Sequence, residues 1–168
     1  KDNQSDFFQW VHFRLETTAF QNYKLHINNL ENSAYPDGWE GYHAVASYDR
    51  QTWFRVPSEY ANGTLSFEVE PECSSMYFAY FAPYSYDRHL DLLAWAQSQH
   101  ACELETLGET LDGRDMSVLR VGIPSSEKKK IWITARQHPG ETMAEWYVEG
   151  LLHKLLDDED PHAAALLS

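Results

Sequence analysis

The chain is poor in positive charge. Thirteen Lys and Arg stand against 26 Asp and Glu, giving a net charge of −13 and a pI near 4.9 over 168 residues. That balance excludes a protein that binds nucleic acid through its backbone phosphates, because no basic stripe is present to displace counterions. The one basic run, Lys128-Lys129-Lys130, follows the Pro124-Ser125-Ser126 loop and reads as a solvated segment that discourages strand slippage. Cysteine is scarce as well. Cys73 and Cys102 lie far apart and show none of the dense spacing of a secreted disulfide scaffold, so reduced, partly buried thiols are expected. No apolar run approaches the length that spans a bilayer, and the opening KDNQSDFFQW has neither an apolar leader core nor a cleavage site. A soluble cytoplasmic protein without a membrane partner is the expectation.

Apolar side chains, by contrast, are plentiful. A hydrophobic content of 43% with 14% aromatic residues is ample for a packed core, and the length suits one or two domains. The first half reads as short strands between turn signals: residues 10–16, 23–30, 43–48, 52–57, 64–71 and 76–83. In WVHFRLE, Val11, Phe13 and Leu15 alternate with His12, Arg14 and Glu16; YKLHINNL sets Leu25 and Ile27 opposite Lys24, His26 and Asn28. Asp49-Arg50-Gln51 and Ala61-Asn62-Gly63 are the expected hairpin connections, and ENSAYPDGWEGY is a loop. Strands of this length and spacing predict an antiparallel β-sandwich or barrel-like sheet. His12, His26 and His43 fall on strand faces as ordinary surface or interface histidines.

After Tyr86 the period changes. Asp87 is a candidate helix cap ahead of Leu90, Leu93, Trp95 and Ala96, which places a domain boundary near residues 83–87 and divides the chain into 1–83 and 84–168. Residues 101–109 and 116–122 predict a hairpin closed by Asp112-Gly113, with Arg114 at its turn, and 131–135 predicts a buried strand. A helix then opens after Gly140. It carries Met143, Trp146, Tyr147, Leu151, Leu152, Leu155 and Leu156 on one broad face, and Asp157-Asp158-Glu159-Asp160-Pro161 ends it. The overall class is α+β, an antiparallel sandwich followed by an α/β unit that looks unfinished, since a strand and helix beside a hairpin cannot cover both faces of a sheet.

Where strand, turn and helix meet lies His138-Pro139-Gly140-Glu141. A turn that ends a strand and opens a helix can aim an imidazole and a carboxylate at one point, so His138 and Glu141 are candidate metal ligands; the alternative is a histidine at a sheet end and a glutamate completing a helix N-terminus. Spacing alone decides nothing, because His100 and Glu103 repeat it with no turn between them and read as solvent-facing. Arg136, two residues ahead of His138, reads as a salt-bridge partner of nearby acidic residues, with substrate contact as the alternative. Phe78, Tyr80, Phe81, Tyr84 and Tyr86 form an aromatic run at the boundary, expected to pack one domain onto the next.

Three blocks in this order, YFAYFAPYSYDRHLDLL (77–93), LGETLDGRDMSVLRVG (107–122) and ITARQHPGETMAEWYVEGLL (133–152), resemble the zinc metallocarboxypeptidases, in particular their cytosolic carboxypeptidase branch. The resemblance covers essentially the whole chain. It implies an N-terminal β-sandwich joined to the opening part of a carboxypeptidase domain, Zn2+ as cofactor, and His138 and Glu141 as the first two of three zinc ligands. The family's third ligand, a histidine, its general-base glutamate and its substrate-binding arginines and asparagine have no counterpart here, so they are expected beyond Ser168. No catalytic residue is thus assigned within this chain, and this segment alone is expected to be inactive.

The implied activity is removal of C-terminal residues, often acidic, from a peptide or protein partner. A net charge of −13 sits awkwardly with polyglutamate substrates and favours a different or broader specificity. Two other functions compete: an amidohydrolase that deacylates a small amino-acid conjugate, disfavoured by the sandwich, and a non-catalytic sandwich module. Zinc ligation by His138 requires the neutral imidazole, so acidification is expected to weaken it.

Overall fold

The computed structural model describes residues 6–167, and in its first half the two-residue periods become strands. Residues 1–5, part of the opening read above as leaderless, lie outside the described residues. The chain divides into two compact units, Lys1–Pro83 and Tyr84–Ser168. In the first unit β1 (His12–Glu16), β2 (Tyr23–Ile27), β3 (Val45–Ser47), β4 (Phe54–Arg55), β5 (Ser58–Ala61), β6 (Thr64–Val69) and β7 (Ser75–Ala79) follow one another. They form two antiparallel sheets, ordered β1-β7-β3-β4 and β2-β6-β5.

The alternation in β1 and β2 holds: Phe13, Leu15, Tyr23, Leu25 and Ile27 turn toward the core while His12, Arg14, Lys24 and His26 face solvent. Leu65, Phe67 and Val69 of β6 meet Met76 and Phe78 of β7 in one core, with the Phe67 and Phe78 rings 5.3 Å apart, so the two sheets lie face to face as a sandwich. The strand expected at 52–57 shrinks to the two exposed residues of β4. The chain instead builds β5, where no strand is expected from the pattern. SEYA has weak strand propensity, yet it registers Tyr60 against Leu65 and Ser58 against Phe67, and cross-strand packing decides. Its turn to β6 is Asn62-Gly63, both at positive φ (50° and 74°), the two-residue geometry that matches strand twist.

The loop after β2 holds much of the core. It contains two single-turn 3₁₀ segments, Leu30–Asn32 and Pro36–Trp39. Leu30 and Trp39 are buried, and the Trp39 indole N–H donates to Ser33 Oγ at 2.9 Å, which itself donates to Leu30 O at 2.6 Å. The three histidines expected on strand faces have local tasks, His43 from the residues ahead of β3. His43 Nδ1 accepts the Ser58 N–H at 2.8 Å, His26 shares a hydrogen bond with Ser66 across the sheet at 2.8 Å, and burial followed by the Arg50 charge pushes the His12 pKa down.

The second unit runs α1 (Tyr86–Gln97), β8 (Cys102–Glu109), β9 (Asp115–Val121), α2 (Thr142–Leu155) and α3 (Pro161–Leu167). With the sandwich before it, the chain is α+β. Ser85, not Asp87, caps α1: its Oγ accepts the Arg88 N–H at 3.2 Å, while Asp87 lies in the first turn. Leu92, Ala96, Leu152 and Leu156 form this unit's core with Trp95, Leu119, Val121 and Val148 against them. Leu90, Met143 and Tyr147, expected to face inward, are 44%, 42% and 62% exposed, because the core-facing stripe is narrower than the apolar stretch.

The expected strand at 131–135 does not form. The segment carries no ladder, and Ile131, Trp132 and Ile133 are 83%, 70% and 51% exposed. Composition predicts what a strand would bury, but a strand also needs a neighbour's N–H and C=O groups, and among the described residues none runs alongside. Lys128, read as solvated, donates to Ile123 O at 3.0 Å and Leu167 O at 2.6 Å. Both cysteines are free, Cys73 exposed and Cys102 half-buried, so the expectation of partial burial fails for Cys73. Among the described residues no helix is long and apolar enough to cross a membrane.

Asp160 joins α2 to α3. It accepts the backbone N–H groups of His162 (2.7 Å) and Ala163 (3.1 Å) and pairs with Lys154. Lys154 first, and then the Ala163 N–H, hold its carboxyl down at about 2. A depressed carboxyl contributes stability that is present above its unfolded pKa, about 3.9, and is lost as pH falls through the folded value. Thermal melts of the parent and Asp160→Asn are therefore expected to differ at pH 6 and to converge as pH drops from 4 toward 2; a gap that widens on acidification would contradict this.

Candidate metal centre

Pro139 and Gly140 turn the chain ahead of α2, and the Glu141 N–H closes the turn on His138 O at 3.1 Å. Glu141 takes the N-cap position of α2 but makes no side-chain cap hydrogen bond. Its carboxylate turns back instead, and His138 Nδ1 donates to its Oε1 at 3.0 Å. Both side chains are open to solvent, 77% exposed for His138 and 47% for Glu141.

An imidazole nitrogen beside a carboxylate oxygen is a donor set that suits zinc. Bonds of about 2.0–2.2 Å at tetrahedral angles place two donors about 3.4 Å apart. The observed 3.0 Å is within a few tenths of an ångström of that, so His138 and Glu141 could hold the ion with little movement. Among the described residues no third His, Cys, Asp or Glu joins the pair. His100, whose spacing to Glu103 mimics the motif, is 76% exposed and faces Asp158 at 3.7 Å.

Beneath the turn lies a polar network that sequence reading did not find. Glu145 and Glu149, one helical turn apart on α2, face α1. Glu149 accepts from Arg88 Nε (2.9 Å), Arg88 Nη2 (2.6 Å) and the Tyr84 hydroxyl (2.6 Å), and Arg88 lies 4.0 Å over the Trp146 ring. Arg88 first, then the Tyr84 hydroxyl, holds the Glu149 carboxyl below its ordinary range. Burial first, and then Glu149, pushes the Tyr84 hydroxyl up. Glu145 pairs with Arg136 and, at 3.0 Å, with His89. The signal in the sequence is the pair of acids at i and i+4 on the otherwise apolar side of α2.

Arg136 does form the expected ion pair, but with a helix residue. The boundary aromatics divide between the units: Tyr80 packs on Trp39, Tyr42 and Phe81 in the first, while Tyr84 meets Trp146 in the second. Arg114 closes its hairpin through its N–H to Thr110 Oγ1 at 3.1 Å, and its guanidinium lies 4.7 Å over the Tyr86 ring.

Comparison with known proteins gives the chain a family. Residues 1–81 match the model of the cytosolic carboxypeptidase N-terminal domain, and residues 87–168 match that of the zinc carboxypeptidases. A crystal structure described as a putative carboxypeptidase A from Shewanella denitrificans is 56% identical with a TM-score of 0.90, over 99% of this chain and 44% of that one. An uncharacterized protein of Zymomonas mobilis is 46% identical over 99% of this chain and 43% of its own length. Cytosolic carboxypeptidase 2 of Xenopus tropicalis is 29% identical over 89% of this chain and 19% of its own. The chain thus spans less than half the length of these relatives. With one family model on each side of Pro83, and the two together spanning nearly the whole chain, the protein belongs to the zinc carboxypeptidases, in the branch that carries the cytosolic carboxypeptidase N-terminal domain.

Proposed function

We propose that this chain supplies the sandwich domain and two zinc ligands, His138 and Glu141, of a metallocarboxypeptidase that hydrolyses C-terminal residues from peptides or proteins. The observation that carries the reading is the exposed nitrogen–oxygen pair, 3.0 Å apart, on a turn held by its own main chain. When bound there, zinc supplies a Lewis acid for the scissile carbonyl and a water whose pKa falls to about 7. The protein's part is orientation. The His138 imidazole and Glu141 carboxylate stand at the N-terminal end of α2, open to an approaching peptide, and the absence of a cap bond leaves the carboxylate available as a ligand. Catalytic zinc sites generally take three protein ligands, so a two-ligand set holds the ion weakly.

Calorimetric titration of the metal-stripped chain with zinc chloride tests this. His138→Ala and Glu141→Ala are each expected to lower affinity at least about tenfold, since each removes one of two donors. Parent-like binding by both variants would overturn the assignment.

A further inference from the structure

The ligand turn is gripped from outside by one side chain. Arg136 Nε and Nη2 both donate to Pro139 O, at 3.3 and 3.2 Å, capturing the carbonyl at the centre of the turn. Its Nη1 donates to Tyr84 O at 2.9 Å, just ahead of the α1 cap, and to the Glu145 carboxylate in the first turns of α2. Glu145 is held in its turn by His89 of α1 at 3.0 Å. The fork therefore ties the turn to the start of α1 and to α2.

Two further facts give this grip weight. The ligand side chains are 77% and 47% exposed, so packing does little to hold them. Arg136 itself has φ 52°, a left-handed conformation that is unfavourable for a non-glycine residue and survives where surrounding contacts over-determine it. Here that conformation accompanies a guanidinium only 27% exposed, bonded beneath the turn. A planar guanidinium can serve three acceptors in fixed directions; an ammonium on a flexible stem cannot hold the same geometry.

We propose that Arg136 is a positioning residue that preorganises His138 and Glu141 for the metal. The inference rests on the reading of that pair as zinc ligands. Its weight should resemble that of other groups that orient metal ligands, about 10–100-fold in affinity.

Zinc chloride titrations of the full 168-residue chain and of Arg136→Lys, Arg136→Met and His138→Ala, each paired with a thermal melt, separate the possibilities. Lysine restores a charge opposite Glu145 but not the double grip on Pro139 O. Arg136→Lys is therefore expected to melt close to the parent while binding zinc at least about tenfold more weakly. The visible spectrum of bound cobalt should change with it. A residue that only braces the helices would lower the melting temperature and leave zinc affinity at its parent value. Parent-like zinc affinity in both Arg136 variants, with binding lost in His138→Ala, overturns the positioning role and leaves the ligand assignment standing. Parent-like binding in His138→Ala overturns the ligand assignment, and this inference with it. Should Arg136→Met fail to fold, the lysine variant decides alone.

Discussion

Trp39→Ala is expected to lower the urea midpoint of the first unit sharply, by the equivalent of about 3–5 kcal/mol. The indole is fully buried, its ring lies 5.2 Å from that of Tyr42 and 4.8 Å from that of Tyr80, and its N–H is satisfied by Ser33. Truncating a buried aromatic of this size costs about 3–5 kcal/mol through lost transfer energy and the cavity left behind. A domain's whole stability is about 5–15 kcal/mol, so the loss is a large fraction of it. The Ser33 hydroxyl also loses a donor while still committed to Leu30 O, which loosens the 3₁₀ turns that hold the loop over the core. Urea titration followed by near-ultraviolet circular dichroism checks the prediction. Phe54→Ala, at a ring 42% exposed, should shift the midpoint far less and serves as the comparison. Equal shifts for the two would show that the loop is not part of the core.

Glu149→Ala is expected to destabilise the second unit strongly. Three hydrogen bonds converge on this carboxylate, two from Arg88 and one from Tyr84. The Arg88 and Glu149 side chains are 31% and 17% exposed, between a surface pair worth about 1 kcal/mol or less and a buried one whose breaking costs about 3–5 kcal/mol. A loss of about 2–3 kcal/mol follows from that position. Glu149→Gln keeps the shape and an acceptor and should lose less. Because Arg88 depresses the Glu149 carboxyl, the contribution is present above the ordinary glutamate range and disappears as pH falls through the lowered folded value. Urea midpoints for parent and Glu149→Ala should therefore differ at pH 7 and approach each other in acid. The variant also reaches the candidate site: Tyr84, released by Glu149, presents its carbonyl to Arg136, which holds the turn carrying His138. A parent-like midpoint at pH 7 would show that the network is solvated and carries no weight.

Particular residues show where reading the chain succeeds and where it stops. Val11, Phe13 and Leu15 alternate with polar neighbours because one face of an edge strand meets a core and the other meets water, and that contrast is written in side-chain chemistry. Asn62-Gly63 is legible for a similar reason, since few residues accept positive φ twice in succession. Trp39 was hidden, because turn residues such as Pro36, Asp37 and Gly38 mark a loop whether or not the loop carries the core's centre. The segment 131–135 misled for the opposite reason: its composition fits a buried strand, and only a partner can make it one.

By itself, then, the sequence pointed to most strands of the first half, the 101–109 and 116–122 hairpin, the helix after Gly140, a division proposed near Pro83 and the proposed donor pair His138 and Glu141, because periodicity, turn chemistry and ligand type are local properties. Tertiary structure decided that Glu141 turns from its helix toward His138, and that Arg136, Glu145, Glu149, Arg88 and Tyr84 form one network beneath them. Those contacts join residues up to 65 positions apart. Their chemistry depends on distance and direction in space, which no local pattern along the chain encodes.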